Sequence, residues 1–136
     1  MATKPKEIIF SIKMGRERFV LADTVVRLCE EFRADYVPSV KTWEAFELLL
    51  ILHTMMEVHQ RGRKSSALGL SRNIGMPRTT VLRRLEKLKK MGAVEQDRAR
   101  FTVLPEFMNA SHMIEGFKRR RDMWQRAAKK MSDTDT

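Results

Sequence analysis

A chain of 136 residues, 43% hydrophobic and 32% charged, is long enough for one domain with a real core and is neither a disordered polyelectrolyte nor a membrane protein. Its longest apolar run, Phe46 to Leu52, falls far short of the ~20 residues a bilayer span needs, and no signal-peptide pattern opens it, so a cytoplasmic protein is the default expectation. The formal net charge of +10 is concentrated: between Arg61 and Arg100 stand 12 Lys and Arg against three acids, a balance of +9, while the rest of the chain sums to +1. Such a local excess is the electrostatic footprint of a polyanion-binding face.

In chain order, residues 1–15 hold a short apolar run between lysines, end at Gly15 and read as an extended arm. From Arg16 to Ala34, Phe19, Ala22, Val25, Val26, Cys29 and Phe32 recur at steps of three and four, the pattern of an amphipathic helix that extends to Pro38. Ser39 or Thr42 can cap the next helix, which is apolar over much of its circumference between Trp43 and His59 and therefore reads as central and covered. A basic turn at Arg61 to Lys64 leads to Ser66 in a capping position, then a short helix with Leu70 and Ile74 on its buried side and Gly75 as its stop. Pro77 suits the first turn of a further helix that buries Val81, Leu85 and Leu88 and stops at Gly92. Ala93 to Asp97 and Phe101 to Leu104 read as short strands with a turn at Arg98 and Ala99. After Pro105 a last helix runs to about Met131, with Ala110, Ile114, Phe117, Arg121, Trp124, Ala128 and Met131 on a heptad-like seam, and residues 132–136 form a polar tail.

Two helices joined by a tight turn, the first short and the second basic, make a helix-turn-helix. The segment LSRNIGMPRTTVLRRLEKLKKMGAVE resembles the winged helix-turn-helix of bacterial transcriptional regulators, broadly the MarR type, over about residues 65–105. The expected fold is thus mainly α with a small β-hairpin wing and flanking dimerisation helices. Its parts are a single winged-helix domain over 16–131, a first helix over 16–38, a core over 41–104 and a last helix over 105–131.

The resemblance implies that the second helix enters the major groove and that the hairpin touches the backbone or minor groove. With Val81 at zero and 100° per residue, Leu85 and Leu88 point one way, while Thr79, Arg83, Glu86 and Lys90 point the other with Leu82 at the edge. Arg78, Thr79, Leu82 and Arg83, near the helix start, are the candidates for base edges. Lys64, Arg72, Thr80, Lys87, Lys90, Arg98 and Arg100 are the candidates for phosphates. If about six cations engage, the log-log salt slope should be roughly −5. Leu82 stands where related regulators carry a small polar residue; it either meets a thymine methyl or packs inward.

The stripe of Ile114, Phe117 and Trp124 must be buried somewhere, and a homodimer interface is the favoured place over folding back on its own domain. Arg119, Arg120 and Arg121 interrupt that stripe, flanking the interface or approaching DNA. Cys29 reads as a small buried hydrophobe rather than a redox-active thiol, and His53, His59 and His112 do not form a metal set. The ten Met residues could line a pocket for a small-molecule effector, although core filling explains them more cheaply. No metal-ligand cluster, nucleophile elbow or glycine-rich phosphate loop is present, so neither an enzyme nor a cofactor is expected. The sequence therefore predicts a dimeric, sequence-specific binder of double-stranded DNA that regulates transcription. A winged-helix protein-interaction module and a non-specific architectural DNA binder are the alternatives.

Overall fold

The computed structural model describes residues 5–133. Its contacts separate two compact units, residues 32–114 and the pair of segments before 32 and after 114. The elements are α1 (Pro5–Tyr36), α2 (Thr42–Gln60), β1 (Ser65–Ser66), α3 (Ala67–Ile74), α4 (Arg78–Lys90), β2 (Val94–Asp97), β3 (Arg100–Val103), α5 (Pro105–Met108) and α6 (Ser111–Asp133).

The unit of residues 32–114 is built around α2. Ala45, Leu48, Ile51, Leu52 and Met55 form its buried face, and they pack with Leu70 of α3, Val81, Leu85 and Leu88 of α4, and Val94, Phe101 and Val103 of the sheet. The expected burial triplet of α4 is thus the one observed. The α2 helix itself is less enclosed than its composition predicts: Trp43, Phe46 and Leu50 remain exposed along one stripe. Lys41, neither Ser39 nor Thr42, occupies the cap position, and it makes no side-chain cap bond. Phe32, Tyr36, His53 and Phe107 make an aromatic cluster, with the Phe32 and His53 rings edge to face at 4.9 Å and His53 Nδ1 2.6 Å from the Leu49 carbonyl oxygen. His53 is a packed core aromatic, and no group of three or more candidate metal ligands occurs among the described residues.

The sheet has three antiparallel strands in the order β1-β3-β2, one more than the sequence suggested. Two-residue β1 pairs Ser65 with Phe101 and Ser66 with Arg100, and a segment that short has no alternation to reveal it. The hairpin register sets Val94 against Val103 and Asp97 against Arg100, leaving Arg98 and Ala99 as the turn. The last expected helix is broken: Asn109 and Ala110 separate α5 from α6, and the Ala110 carbonyl then accepts from the Met113 and Ile114 amides as the new helix starts. Asn and Ser compete with the helical backbone through their own side chains, which favours such a break.

The other unit consists of α1 residues up to Glu31 and α6 residues from Glu115. The extended arm expected over residues 1–15 is instead helical from Pro5, while residues 1–4 lie outside the described residues. Gly15 was a poor boundary marker, because one interior Gly costs only about 1 kcal/mol relative to Ala. The amphipathic reading of α1 also needs correction. Thr24 is buried, its hydroxyl donating to the Val20 carbonyl at 2.7 Å, whereas Phe19, Ala22, Val25 and Val26 are exposed. On α6 the buried positions are Met113, Gly116, Arg120 and Ala127, and the heptad-like seam of Phe117, Trp124 and Ala128 lies outward. Arg119 pairs with Glu31 at 3.4 Å.

Candidate nucleic-acid interface

The helix-turn-helix is α3, the turn at Gly75 to Pro77, and α4. Ser66 caps α3, its Oγ accepting from the Gly69 amide at 3.0 Å. Gly75 ends α3 in the left-handed region at φ 76°, which L side chains adopt only at a cost. The Ser71 hydroxyl donates to the Met76 carbonyl at 2.6 Å and ties the turn back onto α3. Pro77 stands at the cap position, one residue before the first turn where the sequence placed it. At the far end, Gly92 (φ 79°) lets the Ala93 amide reach back to the Leu88 carbonyl at 3.0 Å, which turns the chain into β2.

With Val81, Leu85 and Leu88 seated in the core, the opposite side of α4 faces out. Thr79, Leu82 and Arg83 are exposed there, Arg78 is exposed at the helix start, and Leu82 takes the outward of its two alternatives. Thr80 is half-buried at the edge of this face. The wing carries exposed Arg98 and Arg100, with Arg98 itself left-handed at φ 57°. The Gln96 side-chain amide donates to the Arg98 carbonyl at 2.8 Å and its oxygen accepts from Lys89 Nζ at 3.0 Å, so the turn is tied to the end of α4. An open polar recess of about 350 Å³ lies between the end of α2, β1, α3 and β3, lined by Arg61, Arg63, Lys64 and Arg100 together with Ser66 and Asn73.

Ion pairing sorts the 12 cations of the basic window. Arg84, Lys87, Lys89, Arg61 and Lys64 each face a carboxylate within 4 Å. Arg63, Arg72, Arg78, Arg83, Lys90, Arg98 and Arg100 have no carboxylate partner among the described residues. All seven are exposed, and they belong to the outward side of α4, to α3, to the wing and to the turn before β1. The surface left electrostatically open is therefore the one that the helix-turn-helix presents.

The paired cations show what the sequence reading missed. Arg84 Nε donates to Glu47 Oε2 at 2.8 Å and its Nη1 lies 3.2 Å from Glu44 Oε1, while Lys87 Nζ donates to that same Glu44 oxygen at 2.6 Å. These pairs lock α4 to α2. The Lys87 hydrogen bond, reinforced by the charges of Lys87, Arg84 and Arg83 and only partly opposed by desolvation, holds the Glu44 carboxyl below its ordinary range. Lys87, expected at a phosphate, is thus engaged within the protein. Lys64 reaches Asp97 of the wing at the looser distance of 3.7 Å and stays exposed. Partners 43 residues apart, as Glu44 and Lys87 are, leave no local sequence signal.

Of the expected interface residues on the terminal helix, Ile114, Phe117 and Trp124 are all exposed. Arg121 is exposed too, its guanidinium 5.9 Å from the centre of the Phe117 ring, whereas Arg120 is buried. Cys29 is half-buried. No helix among the described residues is long and apolar enough to cross a membrane.

Residues 48–98, from within α2 to the tip of the wing, match the model of the IclR helix-turn-helix domain. No curated protein and no solved structure matches the chain. The mostly helical fold with its three-stranded antiparallel sheet is a winged helix-turn-helix, and the match supports a DNA-binding transcription regulator with double-stranded DNA as its partner. The match supports the winged helix-turn-helix of a bacterial transcription regulator that the sequence resembled, and does not bear on the MarR type specifically.

Proposed function

We propose that the protein is a bacterial transcription regulator that reads a specific duplex sequence as a homodimer. Arg78, Thr79, Leu82 and Arg83 meet base edges in the major groove, where an Arg can bond guanine O6 and N7 together and Leu82 can touch a thymine methyl. Arg72, Lys90, Arg98 and Arg100, helped by Lys64 and the Thr80 hydroxyl, hold the phosphates on either side. The observation that carries this reading is the segregation of charge: the seven cations without a carboxylate partner among the described residues lie exposed on α4, α3, the wing and the turn before β1, while Arg84 and Lys87, turned toward α2, are neutralised.

The dimer reading rests on the unit formed by α1 and α6. Phe19, Val26, Phe117 and Trp124 leave on the order of 500 Å² of apolar side chain in water. That is a large part of the ~800 Å² per partner that a stable interface buries. A second copy offers the same surface, and a two-fold dimer would present two recognition helices, as in MarR-type regulators.

Selection of bound sequences from a random duplex library at near-physiological salt tests both parts. The expected product is an inverted repeat with half-sites about 10 bp apart or a multiple of that spacing. Salt-sensitive retention without an enriched site would replace this reading with non-specific architectural binding. No retention at all would favour a protein-interaction role, for which the exposed Trp43, Phe46 and Leu50 stripe is the one specific observation.

A further inference from the structure

The Glu44 carboxylate sits at the first turn of α2 and holds two cations of α4 at once, Lys87 at 2.6 Å and Arg84 at 3.2 Å. Arg84 is nearly covered and has a second, shorter bond to Glu47, so Glu44 is not needed to hold it in place. Lys87 is different. Its side chain is 40% exposed, Glu44 is its only carboxylate partner among the described residues, and on the helical wheel it lies about 40° from Arg83 on the outward face. A four-carbon stem with a terminal ammonium can swing through that angle to a neighbouring phosphate. The carboxylate that now holds it occupies the role a phosphate oxygen would take.

We propose, resting on the DNA-binding reading above, that Glu44 is an affinity-limiting residue: it serves as an internal phosphate surrogate that withholds Lys87 from the duplex backbone. Phosphate contacts carry no sequence information, and every cation released to them raises affinity for all duplexes alike. A regulator must find its site among a vast excess of other sequences, so restraining sequence-blind attraction serves discrimination as much as adding base contacts does. Glu44 performs this restraint without removing Lys87 from the helix.

The test is binding of a random-sequence duplex by the full chain, followed by fluorescence anisotropy over a salt series, for the parent, Glu44→Gln, Lys87→Gln and the double variant. Glu44→Gln leaves the Arg84 to Glu47 bond intact, and a thermal melt checks that it folds. Releasing one ammonium should steepen the log-log salt slope by about 0.9 per protomer and tighten binding roughly five- to tenfold at 0.1 M salt. Lys87→Gln alone should bind as the parent does, and adding it to Glu44→Gln should abolish the gain. An unchanged slope in Glu44→Gln overturns the proposal. So does a gain that survives in the double variant, because the effect would then be the general loss of a negative charge. If the parent itself does not bind duplex, it is the DNA-binding reading that fails.

Discussion

The unpaired cations set a number that a salt titration can check. Of the 12 basic residues in the central window, seven have no carboxylate partner among the described residues, and the proposed reading assigns two of these, Arg78 and Arg83, to base edges. Adding the exposed, loosely paired Lys64 to the other five gives about six phosphates neutralised by one protomer, and at about 0.9 each a log-log slope near −5 for a half-site and near −10 for a dimer on a full site. A fourfold rise in salt, from 50 to 200 mM, should then weaken half-site binding about a thousandfold. Anisotropy of a labelled duplex over that range measures it directly. Lys90→Gln removes an unpaired cation and should flatten the half-site slope by about 0.9 while weakening all sequences similarly. A slope near −1 in the parent, or one that Lys90→Gln leaves untouched, would refute the assignment of this face to the phosphates.

Arg83→Ala should act on sequence instead: loss of about 1–3 kcal/mol at one base pair, seen as relaxed preference at that position when the selection is repeated with the variant. Gly75→Ala meets no atom within 4 Å, so its cost is purely that of the left-handed backbone at φ 76°, roughly 1–2 kcal/mol, measurable as a lowered midpoint in urea with unchanged cooperativity. Trp124→Glu places a charge on the exposed stripe of α6 and should convert a dimer to a monomer in light scattering while leaving helicity intact, and an unchanged mass would move the interface elsewhere. The Glu44 carboxyl titrates below its ordinary value of 4.5 in the folded chain, so the stability it contributes is present in full above that value and is lost as pH falls through the lower, folded one. Glu44→Gln should therefore flatten the acid limb of the stability profile and leave the neutral region's pH dependence unaltered.

What could be read in the sequence follows from how far apart the cause and its effect lie. The cap at Ser66, the stop at Gly75, the buried Val81, Leu85 and Leu88 and the hairpin turn at Arg98 each depend on residues within a turn or two, and each is observed. The helical start of α1 and the break at Asn109 turn on differences of about 1 kcal/mol, which local propensity does not resolve. The outward seam of α6 was visible as a stripe, but periodicity says only that a stripe exists and not which face of the helix another helix will cover. Thr24 and Arg120 are buried while Phe19 and Phe117 are exposed, an inversion that a hydrophobicity pattern cannot foresee.

The same limit governs the site. Charge counting located the basic window, yet it treats Lys87 and Lys90 alike although they are three residues apart on one helix. Only their surroundings separate them: Lys87 has turned far enough toward α2 to meet Glu44, whereas Lys90 has not and has no carboxylate partner among the described residues. Neutralising a cation in place removes it from the count that sets salt dependence without altering the formal net charge of +10. A slope that tracked all 12 basic residues would mean that the ion pairs open on the duplex, and a slope that tracks only the unpaired ones means that α2 determines how much of the recognition helix DNA can use.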